Sequence, residues 1–231
     1  MSDNKNIKNW YKELKQDSKP KLDANFNQHH ILPSSMILCI GGTGSGKTNA
    51  LLNFISRKNN AFYDIIIFSG SSVDEPLYNL LQNKIEGVEL INDIEDLPAL
   101  SEFDDENKDK EKLIVFDDFI NLSNKEMKKI KEYLTAGRKS GFTCWLMAQN
   151  YTSVPKIITR NCHYFILFKL NDNTTINNII RNHNIDNLEK SDILDAYNYS
   201  TAEPLNFLMV DTRGEGIKRL RRIFTDFIKK R

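Results

Sequence analysis

Residues 35–48 read SMILCIGGTGSGKT. An apolar run, 35–40, leads into a loop that fits G-x-x-x-x-G-K-[ST]. Residues 48–57 follow with Leu51, Leu52 and Ile55 on one side of a helix. Strand, glycine loop and helix in that order make a phosphate cradle. Glycines let main-chain N–H groups wrap an anion without Cβ clashes, and the helix start adds partial positive charge. Gly41, Gly42, Thr43, Gly44, Ser45, Gly46, Lys47 and Thr48 are therefore the expected nucleotide-binding residues. Lys47 would reach the β- and γ-phosphates of ATP, and the Thr48 hydroxyl would ligate Mg²⁺.

Outward from that loop, apolar runs alternate with helical patterns. Residues 63–68, 88–91, 113–116, 143–148 and 164–168 read as strands, and 75–85, 125–134, 173–182 and 191–197 as helices. The acidic stretch 95–111 reads mostly as loop. Residues 205–210 and 216–223 read as a terminal strand pair joined by a turn through Gly214. Continuous apolar strands between helices predict an α/β fold whose central sheet is mostly parallel, with helices on both faces. The 231 residues suit one domain, 34–231, preceded by a polar segment, 1–33. Trp10, Tyr11 and Leu14 make that segment an adaptor candidate, docking on a neighbouring subunit or a capsid.

Lys and Arg total 32 against 31 Asp and Glu, so the chain is not globally basic. Any nucleic acid must be met by a local patch or by several copies together. Cys39, Cys144 and Cys162 are widely spaced and odd in number, which points away from a zinc site or a disulfide framework and toward a reducing compartment. No run approaches the roughly 18 apolar residues of a membrane span, and residues 1–23 lack the apolar core of a secretory signal. Membrane association would therefore need a partner. His29 and His30 are expected at the surface, and His163 at the start of a strand.

Three further signals carry chemistry. The run Leu113-Ile114-Val115-Phe116-Asp117-Asp118 delivers two carboxylates to the carboxyl edge of the sheet, where ligands bind in such folds. Asp117 would hold the Mg²⁺ and Asp118 would polarise the attacking water; the plainer reading is two aspartates capping the next loop. Gln149 ends the strand 143–148, where a neutral amide can sense a γ-phosphate; it can equally be a strand-end cap. Arg138, in Ala136-Gly137-Arg138-Lys139-Ser140-Gly141, can neutralise transition-state charge in a neighbouring subunit, or can be a solvated surface residue.

Residues 136–170, AGRKSGFTCWLMAQNYTSVPKIITRNCHYFILFKL, resemble the FtsK/HerA-type pumping ATPases. They are still more similar to the poxvirus-type genome-packaging ATPases of large DNA viruses and virophages. The shared features are Gly137-Arg138, Gln149 and the segment Pro155–Asn161, with the phosphate loop and Asp117-Asp118; the likeness spans about residues 34–225. It implies a RecA-like P-loop ATPase that forms a homo-oligomeric ring and translocates double-stranded DNA into a capsid, with a capsid or portal partner. It also implies a host-cytoplasmic, viral-factory or virion-associated location. Arg138 becomes the implied trans-acting finger, with Arg160 its competitor. The wider superfamily carries Glu where this chain has Asp118, one methylene shorter.

Two basic groups are candidate DNA contacts: Lys125, Lys128, Lys129 and Lys131, and Lys218, Arg219, Arg221 and Arg222 with Lys229, Lys230 and Arg231. Such charges contact phosphates without reading sequence; a solvated helix face and a basic tail account for them equally well. Tyr151 is a candidate link between nucleotide state and a DNA-facing loop. The competing functions are a nucleotide-dependent assembly or secretion ATPase indifferent to DNA, and a P-loop kinase. A kinase would be expected to show an arginine-rich lid and would not need Asp117-Asp118 with Gln149.

Overall fold

The computed structural model describes residues 22–59, 61–70, 75–103, 107, 110–171, 174–183, 188–214 and 219–228. Trp10, Tyr11, Leu14, Lys218 and residues 229–231 lie outside the described residues.

The strands are β1 (Met36–Ile40), β2 (Ile65–Ser69), β3 (Val88–Ile91), β4 (Lys112–Asp117), β5 (Phe142–Ala148), β6 (Tyr164–Leu167), β7 (Leu208–Asp211), β8 (Leu220–Arg222) and β9 (Asp226–Phe227). The helices are α1 (Lys47–Arg57), α2 (Pro76–Lys84), α3 (Glu126–Ala136), α4 (Lys156–Asn161), α5 (Thr174–Asn182) and α6 (Lys190–Ser200). All nine strands form one sheet in the order β3-β2-β4-β5-β1-β6-β7-β8-β9. From β3 to β6 the pairing is parallel. From β6 onward it is antiparallel. The parallel core of the sheet is as expected, and the C-terminal strands make the sheet as a whole mixed. The expected terminal pair is present as β7 and β8, and β9 extends it. Only eight residues separate β7 from β8 and three separate β8 from β9, too few for a crossover helix, which enforces antiparallel pairing there; β6 and β7 are joined through α5 and α6.

Helices cover both faces. Ile37, Cys39, Val115, Trp145 and Met147 face the side packed by α1 and α2. Leu38, Ile40, Ile114, Phe116 and Leu146 face the side packed by α3, α5 and α6. With both faces buried, every residue of β1 and β5 is apolar or, at Thr143, hydrogen-bonded to Glu111. Their side chains need no polar alternation, so the strands read as continuous runs. The three cysteines are buried. Among the described residues no helix is long and apolar enough to cross a membrane.

His29 corrects a sequence expectation, being fully buried rather than superficial. Its Nδ1 accepts the Ile31 N–H at 3.0 Å, and its Nε2 meets Asp23 Oδ2 at 3.0 Å. Asp23 in turn lies 3.3 Å from buried Lys58, whose ammonium is 2.6 Å from Glu111. This network fixes residues 23–31 to the body. His163 behaves alike: its Nδ1 accepts the Met36 N–H at 3.0 Å at the start of the sheet, as expected for a strand-start residue.

Both rings accept a main-chain N–H through Nδ1, so adding a proton there breaks that bond. Burial, chiefly, lowers His29 from 6.5 to about 4 and His163 from 6.5 to about 4. The unfolded chain therefore binds protons first. The stability is intact above pH 6.5 and falls as pH drops from 6.5 toward 4. At pH 5 each histidine is expected to remove about 2 kcal/mol, together roughly 4 kcal/mol of a typical total of about 5–15 kcal/mol. Urea titrations at pH 7.5 and pH 5 check this; an unchanged midpoint would refute it.

Candidate active site

The phosphate loop joins β1 to α1. Gly46, the residue before the helix, has φ +104°, a backbone conformation that favours glycine. The Gly41 N–H donates to the Ala148 carbonyl at 3.1 Å, which seats the loop against the end of β5. Lys47 folds back over the loop, its ammonium donating to the Gly41 carbonyl at 2.8 Å and the Gly42 carbonyl at 3.1 Å.

Sheet order then gathers the other candidates. Because β5 lies between β4 and β1, Asp117 at the end of β4 and Gln149 just beyond β5 share the loop's edge of the sheet. Asp117 is half-buried, and burial raises its carboxyl above the ordinary range. The Tyr78 phenol, the Lys47 charge and the Asp118 N–H pull it back. Tyr78 donates to Asp117 Oδ2 at 2.6 Å. Burial pushes the ionisation of that phenol far up, and the nearby Thr48 hydroxyl works against the shift. One buried tyrosine thus stands beside both expected metal ligands and is bonded to one of them. Sequence reasoning missed it, because Tyr78 reads only as an apolar-face residue of α2.

The pair Thr48 and Asp117 fits Mg²⁺. That ion takes few protein oxygens and completes its octahedron with substrate phosphates and water. Asp118 adopts φ +51° before a short 3-10 turn and makes no side-chain cap there, so it does not cap the next loop. Its carbonyl lies against Gly70: a Cβ built on Gly70 would stand 2.4 Å from that oxygen, so only glycine fits there. Gln149 is exposed, and capping beyond β5 falls to its neighbour: Asn150 Oδ1 accepts the Thr152 N–H at 3.0 Å.

Arg138 lies elsewhere. It lines a cavity of about 160 Å³ with Ser35, Met36, Phe142, Asn161 and His163, where β1, β5 and β6 begin. Seven-residue β5 separates it from its own phosphate loop by roughly 20 Å. Arg160, in α4, is exposed and approaches the same edge beside Asn161.

Several other expectations need correction. In the second basic group, Arg219 and Arg221 are buried. Arg221 donates to the His30 carbonyl at 3.1 Å and sits 3.7 Å from Asp211, while Arg222 pairs with Glu203 at 3.0 Å. These arginines fasten the C-terminal strands. Lys125 and Lys129 share Glu95 at 3.4 and 3.1 Å; Lys125 and Lys128 are exposed, while Lys129 and Lys131 are half-buried. Tyr151 is buried against Phe165, with its hydroxyl near His183 at 3.4 Å.

Comparison with known proteins follows the same lines. A family model described as Poxvirus A32 protein matches residues 23–206. No curated protein sequence matches. Among solved structures, the genome packaging NTPase B204 from Sulfolobus turreted icosahedral virus 2, in complex with ATP-gammaS, is 15% identical with a TM-score of 0.57; 84% of this chain and 98% of that chain are covered. B204 from Sulfolobus turreted icosahedral virus, described as the DNA-packaging ATPase, is 17% identical with a TM-score of 0.58, covering 86% and 99%. The pCW3 conjugation coupling protein TcpA with ATPgS is 15% identical with a TM-score of 0.53, covering 87% and 62%. These likenesses establish the fold.

Proposed function

This chain belongs to the poxvirus A32 protein family, and from that membership we propose that it is an ATP-hydrolysing motor that moves double-stranded viral DNA into a capsid. The observation that carries the ATPase half is the shared sheet edge: phosphate loop, Asp117 and Gln149 stand together on β1, β4 and β5. ATP-analogue complexes of B204, the same fold, support nucleotide as the ligand.

Main-chain N–H groups of residues 41–48 and the Lys47 ammonium hold the phosphates. Thr48 and Asp117 hold Mg²⁺, which when bound neutralises charge on the β- and γ-oxygens. Tyr78 fixes the Asp117 rotamer by its 2.6 Å hydrogen bond. Asp118 orients and deprotonates the attacking water, and Gln149 reads the presence of the γ-phosphate. Arg138 lies at the opposite edge, so it serves the site of a neighbouring copy, and a ring is the arrangement that supplies each site with one.

Steady-state hydrolysis with and without duplex DNA tests the coupling, with Lys47→Ala as the blank. Duplex should stimulate the rate, and the stimulation should weaken from about 50 to 200 mM salt, as counterion release requires of phosphate contacts. Hydrolysis indifferent to every nucleic acid would refute direct DNA coupling and favour an assembly ATPase.

A further inference from the structure

The phosphates and metal of the proposed reaction account for the loop and for the β4–β5 side, but not for the base and sugar. Sheet order restricts where those can go. Asp117 and Gln149 both stand on one side of β1. A γ-phosphate drawn toward them leaves the rest of the nucleotide to pass over the other side, above the ends of β6 and β7. A cavity of about 300 Å³ opens there. It starts at Gly44 and Ser45 of the loop and runs between Phe168-Lys169, after β6, and residues 201–206, between α6 and β7. Small-molecule sites begin at about this volume.

Leu205 is anomalous in two independent ways. It is 58% exposed, although apolar and large. It also holds φ +65°, a conformation that brings the Cβ of an L-residue too close to its own backbone. Its side chain lies along the phosphate loop: a Cβ placed on Gly46 would stand 2.7 Å from Leu205 Cδ2. The turn is braced from outside. The Asn206 N–H donates to the Glu203 carbonyl at 3.3 Å. The Glu203 carboxylate accepts from Asn206 Nδ2 at 3.1 Å and from Arg222 Nη2 at 3.0 Å. Strain of this kind persists where the surroundings impose it, and it clusters at ligand clamps.

We propose that Leu205, on the wall formed by residues 201–206, is the platform on which the nucleobase and ribose of the bound nucleotide rest. The proposal depends on the nucleotide-binding reading of the phosphate loop. The wall offers an apolar face and main chain, while Glu203 is already engaged by Asn206 and Arg222. Recognition is therefore by contact with the flat base and its sugar.

Calorimetric titration of the full chain with Mg²⁺·ATP and with inorganic tripolyphosphate tests this, comparing wild type with Leu205→Gly and Leu205→Ala. Tripolyphosphate carries the phosphates without the base. Glycine relieves the positive φ, so the apo protein should melt no lower, and up to a few degrees higher (about 2–4 °C), than wild type. ATP affinity should nevertheless fall about tenfold in both variants, while tripolyphosphate affinity stays unchanged. Unchanged ATP affinity would overturn the platform. Equal loss for both ligands would overturn it too, making Leu205 a support of the loop. If neither ligand binds the wild type, the nucleotide-binding reading fails and the platform falls with it.

Discussion

Lys47→Ala will lower ATP hydrolysis by at least about 10²–10³-fold, the range for losing one preorganised group that stabilises transition-state charge. The lysine already stands over the loop. Its ammonium is held on the Gly41 and Gly42 carbonyls and contributes to the field at Asp117. Incoming phosphates offer stronger, charged acceptors at the same spot, so the side chain exchanges partners without moving far. Alanine at the first helical position is a good helix former and leaves α1 intact, so the protein should stay folded. A single-turnover assay separates binding from chemistry. Retention of more than about a tenth of wild-type activity would be outside this range and would remove Lys47 from the catalytic set.

Arg138→Ala will lower hydrolysis by about 10³–10⁵-fold, the span known for arginines supplied in trans. The loss will be partly reversed by mixing with Lys47→Ala. Each variant is inactive for a different reason. One keeps a working loop and lacks the finger; the other keeps the finger and lacks a working loop. Only a site shared between copies can be rebuilt from the two, and Arg138 lines a cavity with Ser35 and His163, away from its own phosphate loop. No recovery, with assembly intact, would refute the assignment. If Arg160→Ala shows the loss and the rescue while Arg138→Ala does not, the finger is on α4.

What the sequence made legible is local. The phosphate loop, the strand ending in Asp117-Asp118 and the strand ending at Gln149 each carry their meaning within about ten residues, through periodicity and glycine placement. Their mutual placement followed from one rule, that such strands run parallel and end at the same edge. The failures depend on distant partners. Arg221 reads as a basic-tail residue until the fold brings the carbonyls of residues 29 and 30 against it. His29 reads as polar until Asp23, Lys58 and Glu111 enclose it. Tyr78 has no motif, because its value lies in meeting a carboxylate 39 positions away. Leu205 is invisible in composition, since backbone handedness leaves no mark on an ordinary leucine. The six-residue helix α4 was hidden behind Pro155, which favours a first helical turn as readily as a loop.

In the proposed ring, strand β5 would connect two chemical events in different molecules. Its seven residues are all buried, hydrogen-bonded on both sides by β1 and β4. At one end stands Gln149, the amide proposed to read a subunit's own γ-phosphate, and just before the other stands Arg138, the arginine proposed for the next subunit. A close-packed, doubly paired strand does not stretch or bend readily, so it acts as a push-rod. With Arg138 as the finger, departure of phosphate at one site shifts the far end of the rod and advances or withdraws the charge that the adjoining site needs. Successive sites around a ring are then wired in series, and firing order is a mechanical property of one strand.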